Sequence, residues 1–92
     1  MAKLYQPNGT VTEVHPTNGK KFTLEELQGY VGGYIELIYT NRSRQMFINE
    51  DGKIEGLPHN SKATLLCNMK LGPWDYIVGP AIVLEKSEED DD

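Results

Sequence analysis

The chain has 92 residues, 38% of them hydrophobic, which leaves room for one small core near the lower size limit and makes self-association a natural way to bury more surface. No apolar run approaches the ~18 residues of a membrane helix. The opening Met-Ala-Lys-Leu-Tyr-Gln lacks the apolar centre of a signal peptide, and the single cysteine, Cys67, has no partner for an internal disulfide. The expected setting is therefore a reducing one, the cytoplasm.

The net charge of -5 is unevenly spread, because residues 85–92, E-K-S-E-E-D-D-D, hold six of the fourteen acids and one of the nine bases. The expectation is one domain over residues 1–84, with no net charge, followed by a solvated, disordered acidic tail over 85–92. A neutral body argues against binding a nucleic-acid polymer, and acids confined to a tail argue against mimicry of one.

In chain order, Leu4-Tyr5-Gln6 and Thr10 to Val14 read as two strands around the turn Pro7-Asn8-Gly9. His15 to Lys21 is a loop, since Pro16 biases His15 away from helix and Asn18-Gly19 supplies a second turn. Thr23-Leu24-Glu25-Glu26 matches a capping box, Phe22 and Leu27 stand at the spacing of a hydrophobic staple, and Leu24, Leu27 and Val31 share one helical face. Gly32-Gly33 ends this helix. A phosphate loop would instead run from a strand into a helix.

Tyr34 to Tyr39 is the clearest strand, with apolar residues on both faces, as in a central strand or one whose second face meets another subunit. The turn Asn41-Arg42-Ser43-Arg44 joins it to a strand at Met46-Phe47-Ile48. Two arginines on a polar turn are ordinarily solvated; they are also the best candidates here for gripping phosphate or carboxylate. Glu50-Asp51-Gly52 forms a turn with positive φ expected at the glycine, Ile54 resumes an extended pattern, and Gly56-Leu57-Pro58 stops it. Asn60 is the expected N-cap of a second helix running on through Ala63 to Met69, a role aspartate would fill nearly as well. Cys67 on that helix reads as a small buried hydrophobe. After Gly72-Pro73 and Trp74-Asp75-Tyr76, Ile77-Val78 makes a short pairing and Ala81 to Leu84 a strand, with Pro80 at a bulge or a sheet edge. The resulting class is α+β: a small, mainly antiparallel sheet in the order β-β-α-β-β-α-β, with short helices on one face.

Catalytic and metal signatures are missing from the sequence. One cysteine and two distant histidines, His15 and His59, do not make a structural zinc site, and no Walker lysine or nucleophile elbow is present. Neither an enzyme nor a cofactor is expected, although a small hydrolase can hide its site at a subunit boundary.

Three blocks carry a resemblance. Leu27-Gln28 with Val31-Gly32-Gly33-Tyr34-Ile35-Glu36, Phe47 to Lys53 with Gly56-Leu57-Pro58, Asn60 and Ala63-Thr64, and Asp75 with Ile77-Val78-Gly79-Pro80 and Val83 together resemble a domain-of-unknown-function family of small phage, prophage and plasmid proteins. The resemblance implies an accessory protein of a mobile element acting in a bacterial cytoplasm. Two functions fit it. One is a non-catalytic module, likewise a homo-oligomer, that sequesters a small anionic ligand such as a cyclic nucleotide signal of host antiviral defence. Its expected contacts are Arg42, Arg44, Asn60 and Lys62, with Tyr34 or Trp74 stacking on a base. The other is an inhibitor or adaptor that binds a host protein.

Overall fold

The structure, a computed structural model, describes Ala2 to Glu85; the acidic tail expected over 85–92 lies, from residue 86 on, outside the described residues. The elements are β1 (Ala2–Tyr5), β2 (Val11–Val14), α1 (Leu24–Val31), β3 (Ile35–Tyr39), β4 (Gln45–Asn49), α2 (Ser61–Cys67) and β5 (Ala81–Val83). They follow the expected order, and the strands form one antiparallel sheet arranged β2-β1-β5-β4-β3.

Both hairpins close through the same local chemistry. In the first, the Gly9 N–H donates to Gln6 O and the Gln6 N–H to Thr10 O, each at 2.9 Å, with Gly9 in the left-handed region at φ 93°. The Asn8 side chain holds the turn by accepting from the Thr10 N–H. α1 begins at the reciprocal capping box of Thr23 and Glu26 and ends at Gly32, whose φ of 81° reverses the chain. Asn49 at the end of β4 fastens that terminus, donating from Nδ2 to Val31 O at 3.2 Å.

β5 occupies the centre of the sheet and joins the two hairpins. Its register sets Leu4 and Phe47 on either side of Ile82. Because strand side chains alternate, Ala2, Leu4, Phe47, Ile82 and Ile35 point to one face, where Leu27 and Val31 of α1 cover them. Met46, Ile48, Ala81, Val83 and Ile38 point to the other, under Ala63 and Cys67 of α2 together with Ile77. The helices therefore lie on opposite faces, where the sequence led us to expect one. Neighbours such as Ala81 and Ile82 are both fully buried, which requires a cover on each side.

Further corrections follow from this layout. β3 is an edge strand, and the apolar content of both its faces answers to α1 on one side and to the Leu71 and Ile77 segment on the other. Pro80 stands directly before the central strand, where its missing N–H removes no rung, and neither at a bulge nor on an edge. Val78 does make the expected short pairing, with His59. Ile54 is not extended: Glu55 N–H to Asp51 O and Leu57 N–H to Gly52 O wind residues 51–57 into turns that leave Ile54 86% exposed. Gly52 does not adopt positive φ; a Cβ there would come within 2.8 Å of Val78 Cγ2, so close packing excludes a side chain. Leu24 is exposed in the first turn of α1, ahead of the part of the helix that packs on the sheet.

Candidate functional site

Of the side chains expected to meet a ligand, Arg42 and Arg44 come together at the β3–β4 turn. Here the Ser43 N–H donates to Thr40 O at 2.8 Å and the Thr40 N–H to Arg44 O at 2.9 Å. Ser43 between the arginines has φ 63°, the sole non-glycine residue with positive φ among those described. The buried Thr40 hydroxyl accepts from the Arg44 N–H at 3.1 Å and stiffens the turn.

Asn41 then clamps this turn onto the C-terminal end of α2. Its backbone N–H donates to Leu66 O at 2.7 Å, and its side chain donates to Leu65 O and Asn68 Oδ1 and accepts from the Met69 N–H. The last carbonyls of a helix have no partners within it, so Asn41 satisfies them from outside and fixes the hairpin tip against the helix. Between the two lies a hollow of about 210 Å³ with an apolar floor that includes Tyr5, Leu65, Leu66 and Val83, and Arg42 and Arg44 line its rim. Glu85 stands within electrostatic reach of Arg44.

The other expected contacts lie elsewhere. Asn60 is 0% exposed and fully engaged. Its Oδ1 caps α2 by accepting from the Ala63 N–H at 3.1 Å, while Nδ2 donates to Tyr5 O at 2.9 Å and Gly79 O at 2.8 Å. This asparagine ties α2, β1 and the segment entering β5 together, and it offers no surface to a ligand. Lys62 reaches away from the hollow, donating from Nζ to Gly9 O on the β1–β2 turn. Tyr34 is 69% exposed but precedes β3, about 20 Å from the tip at ~3.4 Å per strand residue. Trp74, 91% exposed, projects from the loop after α2 and lines no part of the hollow.

A second, smaller hollow of about 150 Å³ opens over Ile38, Ile48, Leu71 and Ile77. At its rim Lys53 pairs with Asp75 and lies 4.6 Å from the centre of the Tyr76 ring, whose other neighbour is His59 in an edge-on contact at 5.3 Å. The hydrogen bond between Lys53 and Asp75 raises the lysine pKa and lowers that of the carboxylate. These charges satisfy each other, and Glu36 and Glu50 beside them add negative charge. The hollow is accordingly a poor host for an anion. The Thr64 hydroxyl donates to Asn60 O and accepts from the Ile77 N–H, so its contact with His59 Nε2 at 3.3 Å requires the histidine to donate. Burial raises the Cys67 thiol pKa, which fits a packed hydrophobe and not a nucleophile. Among the described residues no group of acids, histidines or cysteines could hold a metal ion, and no helix is long and apolar enough to cross a membrane.

Sequence reasoning missed Tyr5, Asn41 and Asn49. Tyr5 reads as an ordinary strand residue, and only the sheet order brings it beneath the arginines. Asn41 and Asn49 sit where turn formers are common, and their partners are distant in sequence.

The molecule is thus a small α+β domain, an antiparallel sheet with a short helix on each face and a two-arginine hollow at one hairpin tip. It belongs to the family described as Domain of unknown function (DUF3846), whose profile matches residues 3–92 and so extends well beyond the motif blocks between Leu27 and Val83. No curated protein and no solved structure matches the chain.

Proposed function

We propose that this protein is a non-catalytic binding module that captures a small anionic ligand bearing phosphate at the β3–β4 tip. The observation that carries the proposal is the pair Arg42 and Arg44 on the rim of an apolar-floored hollow, held in place by the Asn41 clamp. Guanidinium groups at a partly exposed rim recognise phosphate oxygens with little desolvation cost, and the Tyr5 side chain gives a flat apolar group a surface to rest on. Thr40 and Asn41 are engaged in holding the turn, so the groups left to act are the two cations. Binding, and not bond cleavage, is what such a set supports. The hollow has room for about a phosphate and one ring, so a larger ligand such as a cyclic dinucleotide would be held in part or shared between copies.

Motif resemblance and small size support the rest of the reading. The module acts as a homo-oligomer in the cytoplasm of a bacterial host, in the service of a phage or other mobile element, with a nucleotide signal of host defence as its target. Calorimetry against inorganic phosphate, mononucleotides and cyclic di- and trinucleotides tests it. A dissociation constant below about 10 μM, near -7 kcal/mol, weakened at least tenfold by Arg42→Ala with Arg44→Ala, is the expected result. Absence of binding across the panel, or binding untouched by the double variant, defeats the proposal and favours a host protein as partner.

A further inference from the structure

β3 carries an edge that the described residues leave open. Among them it is the last strand of the sheet and pairs only with β4, in a register running from Ile35 opposite Asn49 to Tyr39 opposite Gln45. Two bonds beyond its ends fix which backbone groups face inward: the Glu50 N–H donates to Tyr34 O at 2.8 Å and the Thr40 N–H to Arg44 O at 2.9 Å. In an antiparallel ladder bonded and non-bonded pairs alternate. Residues 34, 36, 38 and 40 therefore turn their N–H and C=O groups toward β4, and Ile35, Leu37 and Tyr39 turn theirs outward. The same three side chains share the α1 face, with Leu37 41% and Tyr39 46% exposed. Isolated sheet edges are usually blunted by lysine, proline or a bulge. β3, Ile-Glu-Leu-Ile-Tyr, has none of these.

We infer that β3 pairs with β3 of a second copy, antiparallel, about a two-fold axis through Leu37, to make one continuous sheet from the two five-stranded ones. This register bonds Leu37 to its counterpart and Ile35 to Tyr39 in both directions, which uses every outward N–H and C=O of the strand. Moving the axis by one residue to Glu36 or Ile38 leaves one outward residue of each copy without its opposite. An axis at Glu36 also sets two carboxylates directly across from each other, which is unfavourable. With Leu37 on the axis, Glu36 faces the second copy's Ile38. The apolar pairs, leucine on leucine and isoleucine on tyrosine, fall on one side.

The same register has a consequence for the hollow, resting on the binding function proposed above. Thr40 of one copy comes opposite Tyr34 of the other, and paired residues share a face. Tyr34, remote from the arginines within its own chain, is thereby brought by the second copy alongside the β3–β4 turn that carries them. The binding site is then completed across the two-fold axis.

Three measurements on the protein without ligand test the pairing, so that failure of anion binding leaves them standing. Sedimentation of the full chain at high micromolar concentration gives a dimer. Hydrogen exchange shows the amides of Ile35, Leu37 and Tyr39 protected together with those of Glu36 and Ile38; in a monomer only the second pair is protected. Leu37→Cys forms a covalent dimer on mild oxidation, because bonded antiparallel partners have Cα atoms about 5.5 Å apart, whereas Tyr39→Cys alone does not. A monomer, an unprotected outward set, or equal cross-linking of both variants overturns the inference.

Discussion

Gly9 and Ser43 occupy the same position in two turns of one geometry. In each, the residue donates its N–H three positions back, the chain closes one residue later, and φ is positive, 93° at Gly9 and 63° at Ser43. The first hairpin meets this requirement with glycine, which has no Cβ to clash. The second meets it with serine, between the two arginines, where a left-handed conformation costs roughly 1 kcal/mol. Strain held at a loop tip is a known companion of binding sites. Ser43→Gly is expected to raise stability in urea melts by about 0.5–1 kcal/mol. A loss of stability would show that the serine side chain compensates for its backbone.

Asn60 predicts a result opposite to its role as a simple cap. Asn60→Ala strands Tyr5 O and Gly79 O in addition to the Ala63 N–H, and at roughly 1 kcal/mol each the cost is about 3 kcal/mol. Asn60→Asp keeps the cap but aims a carboxylate at two carbonyl oxygens, and at neutral pH it destabilises at least as much. Equilibrium unfolding of the three proteins decides. An aspartate variant within about 1 kcal/mol of the parent would mean that Nδ2 adds little beyond the capping bond.

Glu26 supplies a pH signature. Its carboxylate accepts from the Thr17 N–H, the Thr23 N–H and the Thr17 hydroxyl, and these bonds lower its pKa from 4.5 to about 2. The folded-state value is the depressed one, so the contribution is complete above the unfolded pKa near 4.5 and is lost as pH falls toward 2. Thermal melts of Glu26→Gln and the parent should differ most at pH 6 to 7 and converge near pH 2. A difference independent of pH would assign the effect to helix propensity.

Two glycines should respond with opposite sign. Gly52→Ala drives a methyl to within 2.8 Å of Val78 Cγ2, an overpacking worth about 1–3 kcal/mol. Gly29→Ala, inside α1 with nothing near its Cβ, should stabilise by about 0.5–1 kcal/mol. Melting midpoints for both variants test the pair, and equal shifts would count against both readings.

What the sequence disclosed was local. Thr23 with Glu26, Asn8 with Thr10, and Asn60 with Ala63 are bonded across two or three residues, and turn and cap chemistry can be read at that range. Arg42 and Arg44 were legible together because one residue separates them. The partners that complete these features lie far along the chain: Asn60 reaches Tyr5 across 55 positions and Asn41 reaches Asn68 across 27. Tyr34, Lys62 and Trp74 looked like companions of the arginines by residue type alone, and sheet order carried them apart. The central place of β5 was hidden for the same reason. Three residues after a proline resemble an edge until both neighbours are known.

The late arrival of β5 also orders events during synthesis. β1 with β2 and β3 with β4 are hairpins between near neighbours and can close as soon as each leaves the ribosome, but neither half has its seam until Ala81 to Val83 appear. A nascent chain stopped at Pro80 is two half-sheets with bare inner edges, the form most open to misassembly and proteolysis. Pairing of β5 with both hairpins is therefore the step that closes the sheet.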